Sequence, residues 1–243
     1  MSEGAVLVTG VAGQIGGHLV EEFLKEGWTV CGLDQRFPAE VTRAGFSFQE
    51  CDLADGAETE RKIGVFHERV GAFDAVINCA GVIANSPLVS FVEGRLRRHD
   101  FELWDRVVSS SLSSAFYVTA STVSKMVESG KKGVIINISS ICSRGNAGQT
   151  AYSAAKAGLN GLTMASAKEL GPMGIRVVSL APGYFDTTST RRHVSAGKLR
   201  EIEGAVPLRR LGQVQELTSA IQFILENQYV NGTIIELDGG LVL

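Results

Sequence analysis

The chain has little of what would place a protein in a special class. Its 243 residues include only four cysteines, Cys31, Cys51, Cys79 and Cys142, scattered with no CxxC pair. That spacing argues against a disulfide framework and against a metal site, and predicts reduced, mostly buried thiols. Prolines number five, and no Pro/Ser-rich stretch or charge run divides the sequence, so one domain over residues 1–243 is expected. There is no strong excess of either charge. A formal net charge of -3 gives no electrostatic reason to expect nucleic acid or an anionic membrane as a partner. No apolar run reaches the length of a membrane span, and no basic segment followed by an apolar one precedes residue 5. The expectation is a cytoplasmic protein whose partners are small molecules, with no membrane and no nucleic acid.

Apolar content of 44% with 20% charged residues is ordinary for a globular chain. Short apolar runs at 5–9, 29–33, 46–50, 75–77, 134–138, 175–180 and 233–237 have the length of strands. Helical periods follow to about residue 26 and over about 55–70, 101–129, 151–170 and 213–225. Alternating βα units predict an α/β fold, a doubly wound parallel sheet of about seven strands with helices on both faces. Between residues 82 and 100 periodicity fails, and Arg95, Arg97 and Arg98 read as a solvated surface. Residues 184–204 also lack a period, which at this edge of a sheet predicts a lid or substrate-binding loop. Tyr184, Phe185, Arg191, Arg192 and His193 either line its pocket or form a mobile loop with a solvated basic face.

The first strand leads into Gly10-Val11-Ala12-Gly13-Gln14-Ile15-Gly16-Gly17 and then a helix. Strand, glycine turn and helix make a phosphate cradle, here lined by Gly10, Gly13, Gln14, Ile15 and Gly16. Gly10 permits the tight turn, Gly13 lets backbone approach a pyrophosphate, and Gly16 lets helix pack on strand. The second strand ends in Asp34, roughly 20 residues downstream, where a carboxylate accepts from ribose hydroxyls and repels a 2′-phosphate. That predicts NAD over NADP, although Arg36 two residues on could pair with such a phosphate. After the fourth strand, Asn78-Cys79-Ala80-Gly81 brings small residues that let a cofactor lie against the backbone.

The fifth apolar run ends in Asn137-Ile138-Ser139-Ser140, and the following helix carries Tyr152 and Lys156 one turn apart on one face. A nearby ammonium favours phenolate, so Tyr152 is expected to become an acid or base near neutrality.

Together these motifs resemble the short-chain dehydrogenase/reductase family in its compact single-domain branch, a Rossmann fold, over nearly the whole chain. The resemblance rests on Thr9-Gly10 with the later glycines, Asp34, Asp52-Leu53, Asn78-Cys79-Ala80-Gly81, Asn137-Ile138-Ser139-Ser140, Tyr152 to Lys156, Pro182-Gly183 with Thr187, and Asp238-Gly239-Gly240. It implies that Tyr152 donates or accepts the proton, that Ser140 hydrogen-bonds the substrate oxygen, and that Lys156 lowers the Tyr152 pKa and holds the nicotinamide ribose. It further implies adenine contacts from Asp52 and Leu53 and a cofactor contact from Thr187, and it suggests a homotetramer. The activity implied is hydride transfer between NAD(H) and a small alcohol or carbonyl substrate.

The chain departs from that pattern in three places. TGxxGxxG replaces TGxxxGxG, with Gln14 at the middle glycine, a spacing closer to epimerase-like relatives acting on nucleotide sugars. Ser111 stands seven residues after Trp104, where the family carries an Asn, which leaves room for a catalytically impaired dinucleotide sensor. The serine-to-tyrosine loop is one residue short, so Ser139 and Ser140 both stand as candidates, with Asn-Ile-Ser-Ser favouring Ser140.

Overall fold

The computed structural model describes residues 4–36 and 44–242; the side chains of Ser189, Arg192 and His193, together with Leu243, lie outside the described residues. The strands are β1 (Ala5–Thr9), β2 (Thr29–Asp34), β3 (Phe46–Glu50), β4 (Ala75–Asn78), β5 (Val89–Val92), β6 (Arg95–Arg98), β7 (Gly133–Ile138), β8 (Ile175–Pro182) and β9 (Ile234–Leu237). Seven of them form one parallel sheet in the order β3-β2-β1-β4-β7-β8-β9. The helices are α1 (Gln14–Lys25), α2 (Gly56–Val70), α3 (Phe101–Val108), α4 (Ser114–Glu128), α5 (Thr150–Leu170), α6 (Thr188–His193), α7 (Ala196–Ala205) and α8 (Val214–Glu226).

Strand pleating divides the core into two layers. Val6 and Val8 of β1 pack with Leu19, Val20 and Phe23 of α1 and with Leu217, Ile221 and Ile224 of α8. Ala5 and Leu7, pointing the other way, pack with Ile63 and Phe66 of α2, Val118 and Met126 of α4, and Leu170 of α5. The doubly wound sheet expected from the sequence is therefore what forms. All seven strands leave their carboxyl ends on one edge, and the chain reverses its winding between β1 and β4 there.

Three segments differ from expectation. The helix read over 101–129 is interrupted by a π-helical turn at Ser109–Ser113. Serine hydroxyls bond back to the preceding turn around it: Ser109 Oγ donates to the Asp105 carbonyl at 2.5 Å and Ser114 Oγ to that of Ser110 at 2.7 Å. Such bonds compete with the regular ladder and widen the turn. Residues 82–100 hold the antiparallel hairpin β5–β6, whose turn residues Glu93 and Gly94 have φ of 52° and 75°. A Glu-Gly turn is a weak signal, and both faces of the hairpin are largely exposed, so no alternation reported it. Residues 184–204 carry α6 and α7 rather than irregular chain.

All four cysteines are free thiols. Among the described residues no helix is long and apolar enough to cross a membrane, and no cluster of His, Cys, Asp or Glu could hold a metal ion.

Candidate active site

The carboxyl edge is built first by backbone. Gly10 turns the chain out of β1 with φ of 72°, and a Cβ there would lie 2.9 Å from the Ala80 backbone. A Cβ on Gly16 would overlap the Gly10 carbonyl oxygen. These two positions need glycine, whereas one on Gly13 would stand 3.2 Å from that same oxygen. Gly13 is the N-cap of α1 and lends its first turn no side-chain acceptor, so the N–H groups of Gln14, Ile15 and Gly16 are the donors an anion would take. Thr9 ties this turn to the next strand: its Oγ1 accepts from Cys79 N and Ala80 N, both at 3.1 Å. Sequence reading gave Thr9 no such role; a hydroxyl at the end of a buried strand was the available signal.

Asp34 closes β2 with its carboxylate already oriented. Oδ2 accepts from Ala12 N at 3.0 Å and Oδ1 from Arg36 N at 3.4 Å. It thus braces the glycine turn as well as facing the crevice edge. Asp52 lies alongside, its Oδ1 accepting from Gln35 Nε2 at 2.8 Å and Ala54 N at 3.1 Å. Leu53 behaves differently from its neighbour. Its side chain is buried in the layer with Ile63 and Phe66, so only its backbone can reach a ligand.

Asn78 ends β4 by reaching across to β7, donating to Asn137 Oδ1 at 2.8 Å and to Thr119 Oγ1 at 3.2 Å. Its amide is structural cement between strands and α4. At the far side of the crevice, Pro182 ends β8, and Gly183 packs so closely that a Cβ would lie 2.9 Å from Asp238 Cα. Thr187 Oγ1 caps α6 by accepting from Thr190 N at 3.0 Å. Arg191 makes a two-point ion pair with Asp186, at 2.6 Å for each bond.

The candidate proton-handling groups meet where β7 ends. Ser139 Oγ donates to the Lys156 carbonyl at 3.3 Å and is spent on holding α5. Ser140 Oγ accepts from Cys142 N at 3.1 Å, and its hydroxyl acts on the Tyr152 phenol, which favours Ser140 of the two serines. Tyr152 is buried. Burial raises its pKa well above the usual phenol value, the Cys142 thiol adds to the rise, and the Ser140 hydrogen bond acts the other way. Lys156 Nζ lies 5.7 Å from the Tyr152 ring centroid. Burial thus outweighs the pull toward phenolate expected from the ammonium, so the acid or base expected at Tyr152 starts as the neutral, protonated phenol.

Lys156 is itself buried, with Nζ donating to the Ile138 carbonyl at 2.7 Å. Burial lowers its pKa to about 8. Gly81 completes this corner, since a Cβ would lie 3.0 Å from Ser111 Oγ and 3.5 Å from Lys156 Nζ. Ser111, buried in the π turn, accepts from Val82 N at 3.2 Å. The cradle therefore has no room for a side chain at Gly10 and a tight fit for one at Gly81, and it offers backbone donors at one end and an ammonium at the other. That set fits a dinucleotide.

One amide network escaped sequence reading. Gln149 Nε2 donates to Asn85 Oδ1 at 2.6 Å, and its Oε1 accepts from Asn146 Nδ2 at 2.9 Å and from Cys142 Sγ at 3.1 Å. It joins the base of the β5–β6 segment to the start of α5. Only proximity in space reveals it, because no spacing rule connects residues 85, 142, 146 and 149.

Comparison with known proteins gives consistent matches. A family model described as enoyl-(acyl carrier protein) reductase matches residues 10–242. A (3R)-3-hydroxyacyl-CoA dehydrogenase from Canis lupus familiaris is 35% identical, the match covering 98% of this chain and 95% of the relative. A 3-oxoacyl-acyl-carrier-protein reductase from Chlamydia muridarum is 32% identical over 98% of this chain and 96% of its own. A crystal structure of a short-chain dehydrogenase from Leptospira borgpetersenii with bound NAD+ superposes with a TM-score of 0.88 at 28% identity, covering 99% of this chain and 93% of that one.

The buried ammonium makes stability depend on pH. Lys156 titrates near 8 in the folded chain against an ordinary 10.5. Its cost is therefore full below pH 8 and relieved as pH rises from about 8 toward 10.5, roughly 3 kcal/mol in all. Lys156→Met should show its most favourable melting temperature relative to the parent at pH 7, and that difference should fall by several degrees by pH 10 in scanning calorimetry. A difference that does not change with pH would sink this account of Lys156.

Proposed function

Because the chain belongs to the short-chain dehydrogenase/reductase family, we propose that it is an NAD(H)-dependent oxidoreductase interconverting 3-oxoacyl and 3-hydroxyacyl thioesters. The observation that carries this reading is the buried, neutral Tyr152 phenol, with Ser140 acting on it and the Lys156 ammonium 5.7 Å from its ring. The names of the dog and Chlamydia relatives support the thioester, and they narrow the small alcohol or carbonyl expected from the sequence.

Bound nicotinamide dinucleotide supplies or accepts the hydride. First-turn N–H groups of α1 would hold its pyrophosphate, Asp34 the adenosine ribose hydroxyls, and Lys156 the nicotinamide ribose through the donors that Ile138 does not use. In reduction, Tyr152 gives its proton to the carbonyl oxygen. Ser140 accepts from Cys142 N and so keeps its own proton for that same oxygen, stabilising the negative charge as it develops. Lys156 then offsets the phenolate left behind. Oxidation runs the same transfers backwards. Ser111 stands beside Gly81 and Val82 as the positioning group in place of the family's asparagine. The segment 184–204, with α6 and α7, covers the substrate side.

In the assay that tests this reading, a 3-oxoacyl thioester should oxidise NADH, and Tyr152→Phe should lower turnover by roughly 10²-fold or more with NADH binding intact. Near-native turnover in that variant would remove Tyr152 from the chemistry.

The cofactor preference rests on the Asp34 carboxylate, fixed by Ala12 N and Arg36 N at the end of β2. A 2′-phosphate there meets like charge, so kcat/KM should favour NADH over NADPH. Asp34→Ser should narrow or reverse the preference by leaving Arg36 free. A parent enzyme that prefers NADPH would show that Arg36 governs the pocket.

The reading includes a homo-oligomer, a tetramer by resemblance to the family, and the outward face of α5 supports such an assembly. Ala154, Ala157, Gly161, Met164 and Ala165 are exposed on it, and a Cβ on Gly161 would meet nothing within 4 Å. Small residues allow close packing of helices from separate copies. Gly158, against Leu112, and Leu241, with Ile141 and Ile202, pack within the subunit. Light scattering at micromolar concentration should give a multiple of the chain mass; a strict monomer would refute the assembly.

A further inference from the structure

Gln14 occupies the position where the family's compact branch carries its middle glycine. It is the first residue of α1, directly after an N-cap that contributes no side-chain hydrogen bond. Its own side chain spans the crevice: Oε1 accepts from Thr188 N at 2.5 Å, a contact between residues 174 positions apart. Thr188 opens α6, and Thr187 is buried as the cap of that helix. The phosphate cradle and the segment following β8 are thus joined by one amide. A primary amide that accepts through oxygen keeps both Nε2 hydrogens for donation. Glycine could make neither contact.

We propose that Gln14 is a positioning residue that fastens α6 over the pyrophosphate of the bound dinucleotide. Its Oε1 holds the Thr188 N–H, and its Nε2 donates to a phosphate oxygen, so the same side chain senses the cofactor and secures the lid. Amide donation to an anion belongs to the stronger class of hydrogen bond, and loss of one such bond is worth about tenfold in a rate or affinity. The inference rests on the dinucleotide reading above and adds a clasp, with slow cofactor release as its consequence.

Two variants of the full chain separate the two halves of the clasp. Gln14→Gly removes both contacts. Gln14→Glu keeps an acceptor for Thr188 N but sets a negative charge against the phosphate. Stopped-flow fluorescence should show NADH leaving about tenfold faster from both. Limited proteolysis within residues 188–205, without ligand, should speed up in Gln14→Gly and stay at the parent rate in Gln14→Glu. Added NADH should protect the segment in the parent more than in either variant. Binding of adenosine, which has no phosphate, should be unchanged in both. Parent-like NADH release in both variants, or adenosine binding weakened as much as NADH binding, would overturn the clasp alone. Failure of the unmodified protein to bind NADH would overturn both the clasp and the dinucleotide reading.

Discussion

A parallel sheet buried on both faces must end its strands somewhere, and all seven here end on the same edge. Backbone groups that leave the ladder there cannot be left unpaired in a dry interior. Much of the site consists of answers to that constraint. Gly10 N is taken by the Leu33 carbonyl, Ser139 N by the Leu180 carbonyl and Gly183 N by the Leu237 carbonyl. Thr9 accepts the amides after β4, and Lys156 satisfies the carbonyl of Ile138. The groups suited to hold a ligand are the same groups that finish the sheet, so damage to one function damages the other.

Tyr152 and Lys156 illustrate how burial divides labour between two titratable groups. Desolvation penalises whichever form is charged, pushing the phenol up and the ammonium down. The outcome is a neutral donor next to a cation that keeps its proton up to about pH 8. In the proposed reduction a neutral phenol is the form that can give a proton to a carbonyl oxygen, and the neighbouring cation would stabilise the phenolate left behind.

Much of this was legible in the residues. Strand and helix periods located the seven-stranded sheet because both of its faces are apolar, and the glycine spacing located the cradle because Gly10 and Gly16 meet backbone that excludes a side chain. What stayed hidden depends on contacts distant in sequence. The choice between Ser139 and Ser140 turns on which hydroxyl faces the phenol. The role of Leu53 turns on burial, and the Gln149 network turns on four residues brought together by folding. The β5–β6 hairpin was missed because exposed faces impose no hydrophobic alternation, and the elevated Tyr152 pKa because pairwise reasoning from a neighbouring ammonium leaves out the solvent that folding removes.

The π turn at Ser109–Ser113 carries one more consequence, for how this chain can tolerate insertion and deletion. A π turn holds one residue more than the α-helical turn it replaces, and each residue of a helix turns the chain by about 100°. Deleting one residue between 109 and 113 could restore an uninterrupted α ladder and improve local regularity. It would leave α3 and α4 on their present faces, because the widened turn takes up the extra residue locally, but would withdraw the serine that the wide turn presents, Ser111, from Gly81 while Val118 and Met126 stayed buried against the sheet. Sequence change in this stretch is therefore constrained by length more than by identity, with substitutions tolerated where a gap is not.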